Sequence, residues 1–351
     1  MEIPQPIARR TGWPWGAADS VAVRPQADSQ AGPRSWPRIT VVTPSFNQGQ
    51  FLEETIRSVL LQNYPNLEYI VVDGGSTDQS IEVMRHYQNC ITHLISEPDQ
   101  GQSDAICKGI HLATGELLNW INSDDRLEPG TLWELATQFR STSDLYAFEV
   151  TVEDANGRPP AYSDTRMFNR NLSAMAMLRC DRYSFSQPGL WFRMEALYQC
   201  GGIDRTLNYG FDWDLIVRYL SKHPRVQYSS STGAMFRLHD QSKTMMESAK
   251  VDEAENRFKQ ENDRIRDKLE RTLSPRLAAA SRLGRRREPW NQHLIEILDD
   301  FDRSPVAAAC EIVAEAMKEP STRCSARTFG SIARLLSRYV RRMPQRRGET
   351  A

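Results

Sequence analysis

Apolar and polar residues follow one another along the first third of the chain in blocks that suit strands and helices by turns. The β-branched run Arg38-Ile-Thr-Val-Val-Thr43 stops at Pro44, as a buried strand does. From Gln50 to Gln62, Leu52, Ile56, Val59 and Leu60 recur at helical spacing. Leu67 to Val72 predicts a second strand that stops at Asp73-Gly-Gly, and Ser80 to Tyr87 predicts a helix. Thr92 to Ser96 predicts a third strand and Asp104 to Ala113 a helix. Glu116 to Ile121 predicts a fourth strand, followed at once by Asn122-Ser-Asp-Asp125.

This alternation predicts an α/β fold: a Rossmann-like, mostly parallel sheet flanked by helices. Such sheets bind ligands at the carboxyl ends of their strands. The polar clusters Thr43-Pro-Ser45, Asp73-Gly-Gly-Ser-Thr-Asp78 and Asn122-Ser-Asp-Asp125 fall at those ends. From about 145 to 240 the pattern loosens into short strands and aromatic-rich loops, read as a mixed sheet region that completes a site. Beyond about 245 the chain turns helical and charged. The expected organisation is therefore a flexible leader (1–36), an α/β domain (37–245) and a helical extension (246–351).

Composition changes this picture little. The 351 residues are 40% hydrophobic and 25% charged, which suits a globular enzyme. A formal net charge of −1 gives no argument for nucleic acid as a partner. The N-terminus has no apolar run of signal-peptide length, and no stretch of about 18 apolar residues predicts a membrane span. Six scattered cysteines without a CxxC pair support neither a zinc knuckle nor a disulfide framework. The chain is expected to be cytoplasmic.

Asp124 and Asp125 follow an apolar strand. Adjacent carboxylates there repel unless a cation neutralises them, and hard oxygen ligands suit Mg²⁺ or Mn²⁺. The same residues read equally as a cap for the helix that begins near Leu132. Asp73 reads as a carboxylate for a ribose or a base edge, or as an Asx-turn residue.

Four segments in order resemble the donor-binding half of family 2 glycosyltransferases, which have the GT-A fold. They are Thr43-Pro-Ser-Phe-Asn47, Val71-Val-Asp-Gly-Gly-Ser-Thr-Asp78, Gly101-Gln-Ser-Asp-Ala-Ile-Cys-Lys-Gly109 and Asn119-Trp-Ile-Asn-Ser-Asp-Asp125. The resemblance covers roughly residues 38 to 245. It implies an inverting, metal-dependent transfer of a sugar from a nucleotide-diphosphate donor, UDP-sugar favoured, to a saccharide or lipid-linked acceptor. By the same resemblance Thr43, Pro44, Ser45, Asp73, Asp104 and Asn122 bind the nucleotide. Asp124 stands at the family's metal-ligating DxD position, where Asn122 replaces the first Asp. Cys107 stands where the family often has Asn.

Later segments extend the likeness. Ser186-Gln-Pro-Gly-Leu-Trp-Phe-Arg193 is similar to the acceptor-side segment. Phe211-Asp-Trp-Asp-Leu215 aligns with the family's Glu-Asp motif, which implies that Asp212 is the general base, with Phe211 in place of Glu. Arg237-Leu-His239, with Gln241-Ser242, resembles a late motif. It implies Arg237 at the diphosphate and His239 beside the metal.

Between Arg323 and Arg347 lie eight arginines and no acidic residue, with Phe329, Ile332, Leu336, Tyr339, Val340 and Met343 at helical spacing. This basic amphipathic helix reads either as peripheral to an anionic membrane, at the inner face of the cell membrane, or as packed on the enzyme with its arginines in water. Two other functions compete with transfer. A nucleotidyltransferase wants a glycine-rich basic loop, which Thr43 to Gln50 does not offer; a non-catalytic nucleotide-sugar binder is prompted by Asn122 and Phe211.

Overall fold

The computed structural model describes residues 3–8, 10–16, 36–159, 166–181, 184–240, 253–300 and 303–342. They fall into two compact units, Met1–Arg170 with Ser184–Ile265, and Asn171–Tyr183 with Arg266–Ala351. Gln241, Ser242 and the tail beyond Arg342, including Met343, lie outside the described residues.

The first unit is built on one mixed sheet. Its strands are β1 (Ile39–Ser45), β2 (Leu67–Asp73), β3 (His93–Ser96), β4 (Leu117–Trp120), β5 (Arg126–Leu127), β6 (Leu145–Asp154), β7 (Arg166–Met167), β8 (Leu190–Arg193) and β9 (Val226–Leu238). The order is β3-β2-β1-β4-β8-β6-β9-β5, with β7 on β6. β1 pairs in parallel with β2 and β4, and β2 with β3. At β4 the direction reverses: β8 runs antiparallel to both β4 and β6, while β6 and β9 are parallel. The fold is thus mixed α/β with a parallel half and a mixed half. The register Ser45↔Asp73↔Ser96 brings three polar residues level at the carboxyl ends of β1, β2 and β3.

Helices α1 (Gly49–Leu60), α2 (Ser80–Tyr87), α3 (Gln102–Leu112) and α4 (Thr131–Gln138) connect the first strands. Leu52, Ile56, Val59 and Leu60 of α1 join Val41, Tyr69, Val71, Tyr87 and Trp133 in a continuous core, which accounts for their helical spacing. The opposite side of α1 is buried too. Residues 3–8 and 10–16 lie along it: the Ile7 and Ala8 amides donate to Glu53 at 2.6 and 2.9 Å. Arg57 donates to the Pro4 and Pro14 carbonyls at 3.0 Å, and the Trp13 indole to the Leu127 carbonyl at 2.8 Å.

The aromatic-rich stretch read as short strands contains the two longest strands, β6 and β9, of 10 and 13 residues. A register irregularity between Ala147 and Val150 bends this pair. The helix Phe211–Lys222 follows, with the Asp214 carboxylate buried against Arg218 at 2.6 Å.

In the second unit, helices Pro275–Asp299, Pro305–Lys318 and Ala326–Arg342 share a core of Trp290, Leu294, Ile297, Ile312 and Leu335. No described helix is long and apolar enough to cross a membrane.

Candidate active site

A cleft of about 950 Å³ opens at the carboxyl ends of β1, β2 and β4. Pro44, Ser45, Gly74, Asp99, Asn122 and Asp124 line one side, and Ser186, Gln187, Tyr209, Phe211, Asp212 and Phe236 the other. Asp124 and Asp212, far apart in sequence, therefore face one cavity. Asp99 faces it as well, giving three carboxylates. Among the described residues that line the cleft none carries a positive charge.

The loop after β4 is tied down by hydrogen bonds. Asp125 is fully buried, and its carboxylate accepts the Arg237 amide at 3.0 Å and the Asn122 side-chain amide at 3.1 Å. Burial, then the neighbouring Asp124, pushes the Asp125 carboxyl well above the usual range. Asn122 also accepts from Gln102 at the start of α3 at 2.7 Å. An Asp at 122 would set a second anion against Asp125, so the amide suits this geometry. Asp125, turned away from solvent, leaves Asp124 as the loop's cleft-facing carboxylate.

Asp124 Oδ2 lies 3.0 Å from His239 Nε2, and the His239 ring stacks obliquely on Phe51 at 4.6 Å. These are one oxygen and one nitrogen donor of the kind Mn²⁺ accepts, and Mg²⁺ or Mn²⁺ commonly takes one or two protein ligands with phosphate oxygens completing the shell. The donor chemistry fits such an ion, with Asp124 lining the cleft and His239 buried beside it, outside the lining. Among the described residues no group of three His, Cys, Asp or Glu side chains is gathered around one point.

Arg237 sits behind this loop. Its guanidinium donates to the Asp124 carbonyl at 2.9 Å and to Glu54 at 2.8 Å, and lies over the Phe51 ring at 5.0 Å. The residue is buried and does not line the cleft, so its geometry supports the loop instead of reaching a diphosphate. Glu54, on α1, also binds Arg126 at 2.9 Å, and Arg126 holds Glu153 of β6 at 2.8 Å. The pattern of α1 gave only one sign of this, an acidic pair on a helix whose other face is apolar.

Asp73 is buried under the floor of the cleft. It accepts from the Gly75 and Ser76 amides at 3.1 and 3.0 Å, from Ser96 at 2.7 Å and from the Ser76 hydroxyl. This is the Asx-turn arrangement, and it leaves the adjacent Gly74 to form the cleft surface. A Cβ on Gly74 would meet the Asp99 carboxylate at 2.5 Å, so glycine is what lets Asp99 approach. Burial, with Asp104 and Asp73 nearby, pushes the Asp99 carboxyl up. Sequence reasoning missed Asp99, although it stands in the Pro-Asp-Gln-Gly turn ahead of α3.

Thr43 is buried and shares a hydrogen bond with Tyr69 at 3.1 Å. Asp104 is likewise buried. It accepts the Gln100 amide at 3.1 Å and pairs with Arg205 at 2.7 Å, and it does not line the cleft. Of the expected nucleotide residues, Pro44, Ser45 and Asn122 face the cavity. Asp212, in the first turn of its helix, accepts the Trp213 amide at 2.7 Å.

Residues 40–201 match the family model described as Glycosyl transferase family 2. An uncharacterized glycosyltransferase of Nostoc sp. is 28% identical over 175 residues, 48% of this chain and 54% of the relative, so the chain matches about half that relative's length. Mannosyltransferase PcManGT from Pyrobaculum calidifontis, in complex with GDP-Man and Mn²⁺, superimposes with a TM-score of 0.53 at 17% identity over 93% of this chain and 94% of that one. TarS 1–349 from S. aureus, in complex with UDP, gives 0.54 at 16% over 88% and 93%. Residues 40–201 are accordingly a family 2 glycosyltransferase domain, built on the GT-A fold.

Proposed function

We propose that the chain is an inverting glycosyltransferase that uses a divalent cation and a nucleoside-diphosphate sugar, UDP-sugar favoured, and glycosylates a saccharide or lipid-linked acceptor in polysaccharide or glycoconjugate synthesis. The observation that carries this reading is the single cleft faced by Asp99, Asp124 and Asp212. A diphosphate enters so acidic a cleft only with a counter-cation. The GDP-Man and Mn²⁺ bound by PcManGT, and the UDP bound by TarS, support both parts.

In this reading Asp124 and His239 would hold Mn²⁺ or Mg²⁺, which supplies charge neutralisation for the departing diphosphate. Pro44, Ser45 and Asn122 line the nucleoside's path, with Asp99 beside Gly74. Asp73 acts one step back, by fixing the Gly74–Ser76 turn. Asp212 takes the proton of the acceptor hydroxyl as its oxygen bonds to the anomeric carbon. The bond from that carbon to the diphosphate oxygen breaks on the opposite face, so the configuration inverts. Arg237 contributes through the loop that carries Asp124.

Release of nucleoside diphosphate from UDP-, GDP- and dTDP-sugars, with Mn²⁺ or with EDTA, tests this. Release from one donor that EDTA and Asp124→Ala both abolish supports the proposal. If no donor is cleaved and none raises the melting temperature, the chain is not a transferase.

The helix Ala326–Arg342 supports a position at an anionic membrane surface. Leu335 is buried in its own unit, yet Phe329 and Leu336 are 63% and 46% exposed on the same arginine-rich helix. Co-sedimentation with phosphatidylglycerol vesicles should fall for Phe329→Ser/Leu336→Ser; unchanged partitioning rejects the membrane role. The chain would then be cytoplasmic and peripheral.

A further inference from the structure

The two sides of the cleft differ in chemistry: beside Ser186 and Gln187, the side around Asp212 is mostly apolar. Met167, Phe185, Tyr209, Phe236 and Phe258 line it. Of the six large apolar side chains exposed in the described part of the first unit (Ile7, Phe46, Met167, Tyr198, Tyr228 and Phe258), three line this cleft: Phe46, Met167 and Phe258. Met167 is 39% exposed and Phe258 42%. Exposed apolar surface gathered at a cavity marks a ligand surface more than a folding requirement.

Hydrogen bonds and a ring contact hold this wall together. Glu261 is buried and accepts three successive amides, from Asn208, Tyr209 and Gly210, at 2.9, 2.6 and 2.9 Å. It thereby ties the loop that leads into Phe211-Asp212 to the helix Glu253–Thr272. One turn earlier on that helix, Phe258 meets Tyr209 edge to face, with ring centroids 6.2 Å apart. Asp212 and the aromatic wall are thus parts of one assembly. The cleft's 950 Å³ lies near the top of the roughly 300–1,000 Å³ range of small-molecule sites, which leaves room for a second ligand beside a donor.

We propose that the acceptor is a neutral glycoside with an apolar aglycone, bound with the aglycone against Phe258, Met167 and Phe236 and its hydroxyl toward Asp212. This rests on the glycosyltransferase reading. The apolar wall selects the aglycone, and the three carboxylates around the cavity select against an anionic acceptor.

The full chain with Mn²⁺ and UDP is titrated with glucose, phenyl β-glucoside and phenyl β-glucuronide, and with the galactose and mannose counterparts. Binding is read by saturation-transfer NMR and calorimetry. At least one neutral phenyl glycoside should bind about tenfold more tightly than its free sugar and than the glucuronide, with saturation reaching the phenyl protons. Phe258→Ala should collapse the ratio of phenyl glycoside to free-sugar affinity, and Phe258→Trp should restore it. General damage to the fold would lower both affinities and leave the ratio intact; Met167→Ala repeats the test should Phe258→Ala fail to fold. Equal binding of free sugars, equal binding of the glucuronide, or an unchanged ratio in the variants overturns the proposal. If UDP, GDP and dTDP with Mn²⁺ all fail to bind the wild type, the transferase reading falls and this one with it. If one binds while the aglycone preference is absent, only the acceptor proposal falls.

Discussion

Polar side chains at the strand ends of the parallel half, β1 to β4, bond largely to the loops that carry them, whereas the mixed half brings Phe236 of β9, Met167 of β7 and the loop residues Phe185 and Tyr209 to the same cleft. Asp73 shows the first habit: two amides and two hydroxyls take up its oxygens. Phe236 of β9 shows the second. A carboxylate at a strand end is therefore not by position alone a ligand contact. What decides is whether its own turn supplies donors, as at Asp73, or whether the chain beyond reverses it toward the cavity, as at Asp124.

The sharpest way to break this contrast lies in the mixed half. Asp212→Asn should lower kcat by about 10²- to 10⁴-fold with little change in donor KM, measured by diphosphate release with acceptor present. A comparable rise in donor KM would place Asp212 among the donor contacts.

Glu54 joins the two halves. Glu54→Ala leaves the Arg237 guanidinium without its carboxylate partner and should cost about 3–5 kcal/mol of stability by urea unfolding. Mn²⁺ affinity should weaken with it, since Arg237 holds the Asp124 carbonyl. A Glu54→Ala protein as stable as wild type would show the halves to be independent.

Asp73→Asn removes an acceptor from its turn and should cost about 1–3 kcal/mol, with donor KM raised through the displaced Gly74–Ser76 segment. If KM rises at unchanged stability, Asp73 touches the donor after all.

The smallest effect is expected at the opposite end of β2. Burial raises the Glu68 pKa, but hydrogen bonds from Thr40 and Thr114 and the Arg38 charge outweigh it, and the net shift is downward. A depressed folded pKa gives stability that is present above the unfolded value and lost as pH falls through the folded one. Glu68→Gln should therefore cost about 1 kcal/mol at neutral pH, and the gap from wild type should close on acidification through the carboxylate range. Activity should be unaffected.

Much of the parallel half was legible in the chain. The 3.6-residue spacing of Leu52, Ile56, Val59 and Leu60 and the β-branched runs are local signals, and α2 falls on Ser80–Tyr87 as the pattern predicts. The mixed half was harder, because β6 and β9 pair across some eighty residues and nothing local reveals their length. Site residues followed the same division. That Asp124 and His239 would meet was implied by motif order. The inward turn of Arg237 was not, because it depends on Glu54 from α1 and Phe51 beneath. Asp99 escaped notice because its access depends on the missing side chain of Gly74, an effect of volume and not of pattern.

Residues 3–8 and 10–16 belong to the stretch read as a flexible leader, yet they donate two amides to the oxygens of Glu53 and lend two carbonyls to Arg57. Anyone trimming the protein to begin at the first strand would take two donors from a carboxylate and two acceptors from a guanidinium at once, leaving Tyr87 to serve both. Such a shortened enzyme should need a rebuilt helix surface, with apolar substitutes at both positions, before its turnover could be compared fairly with that of the whole chain.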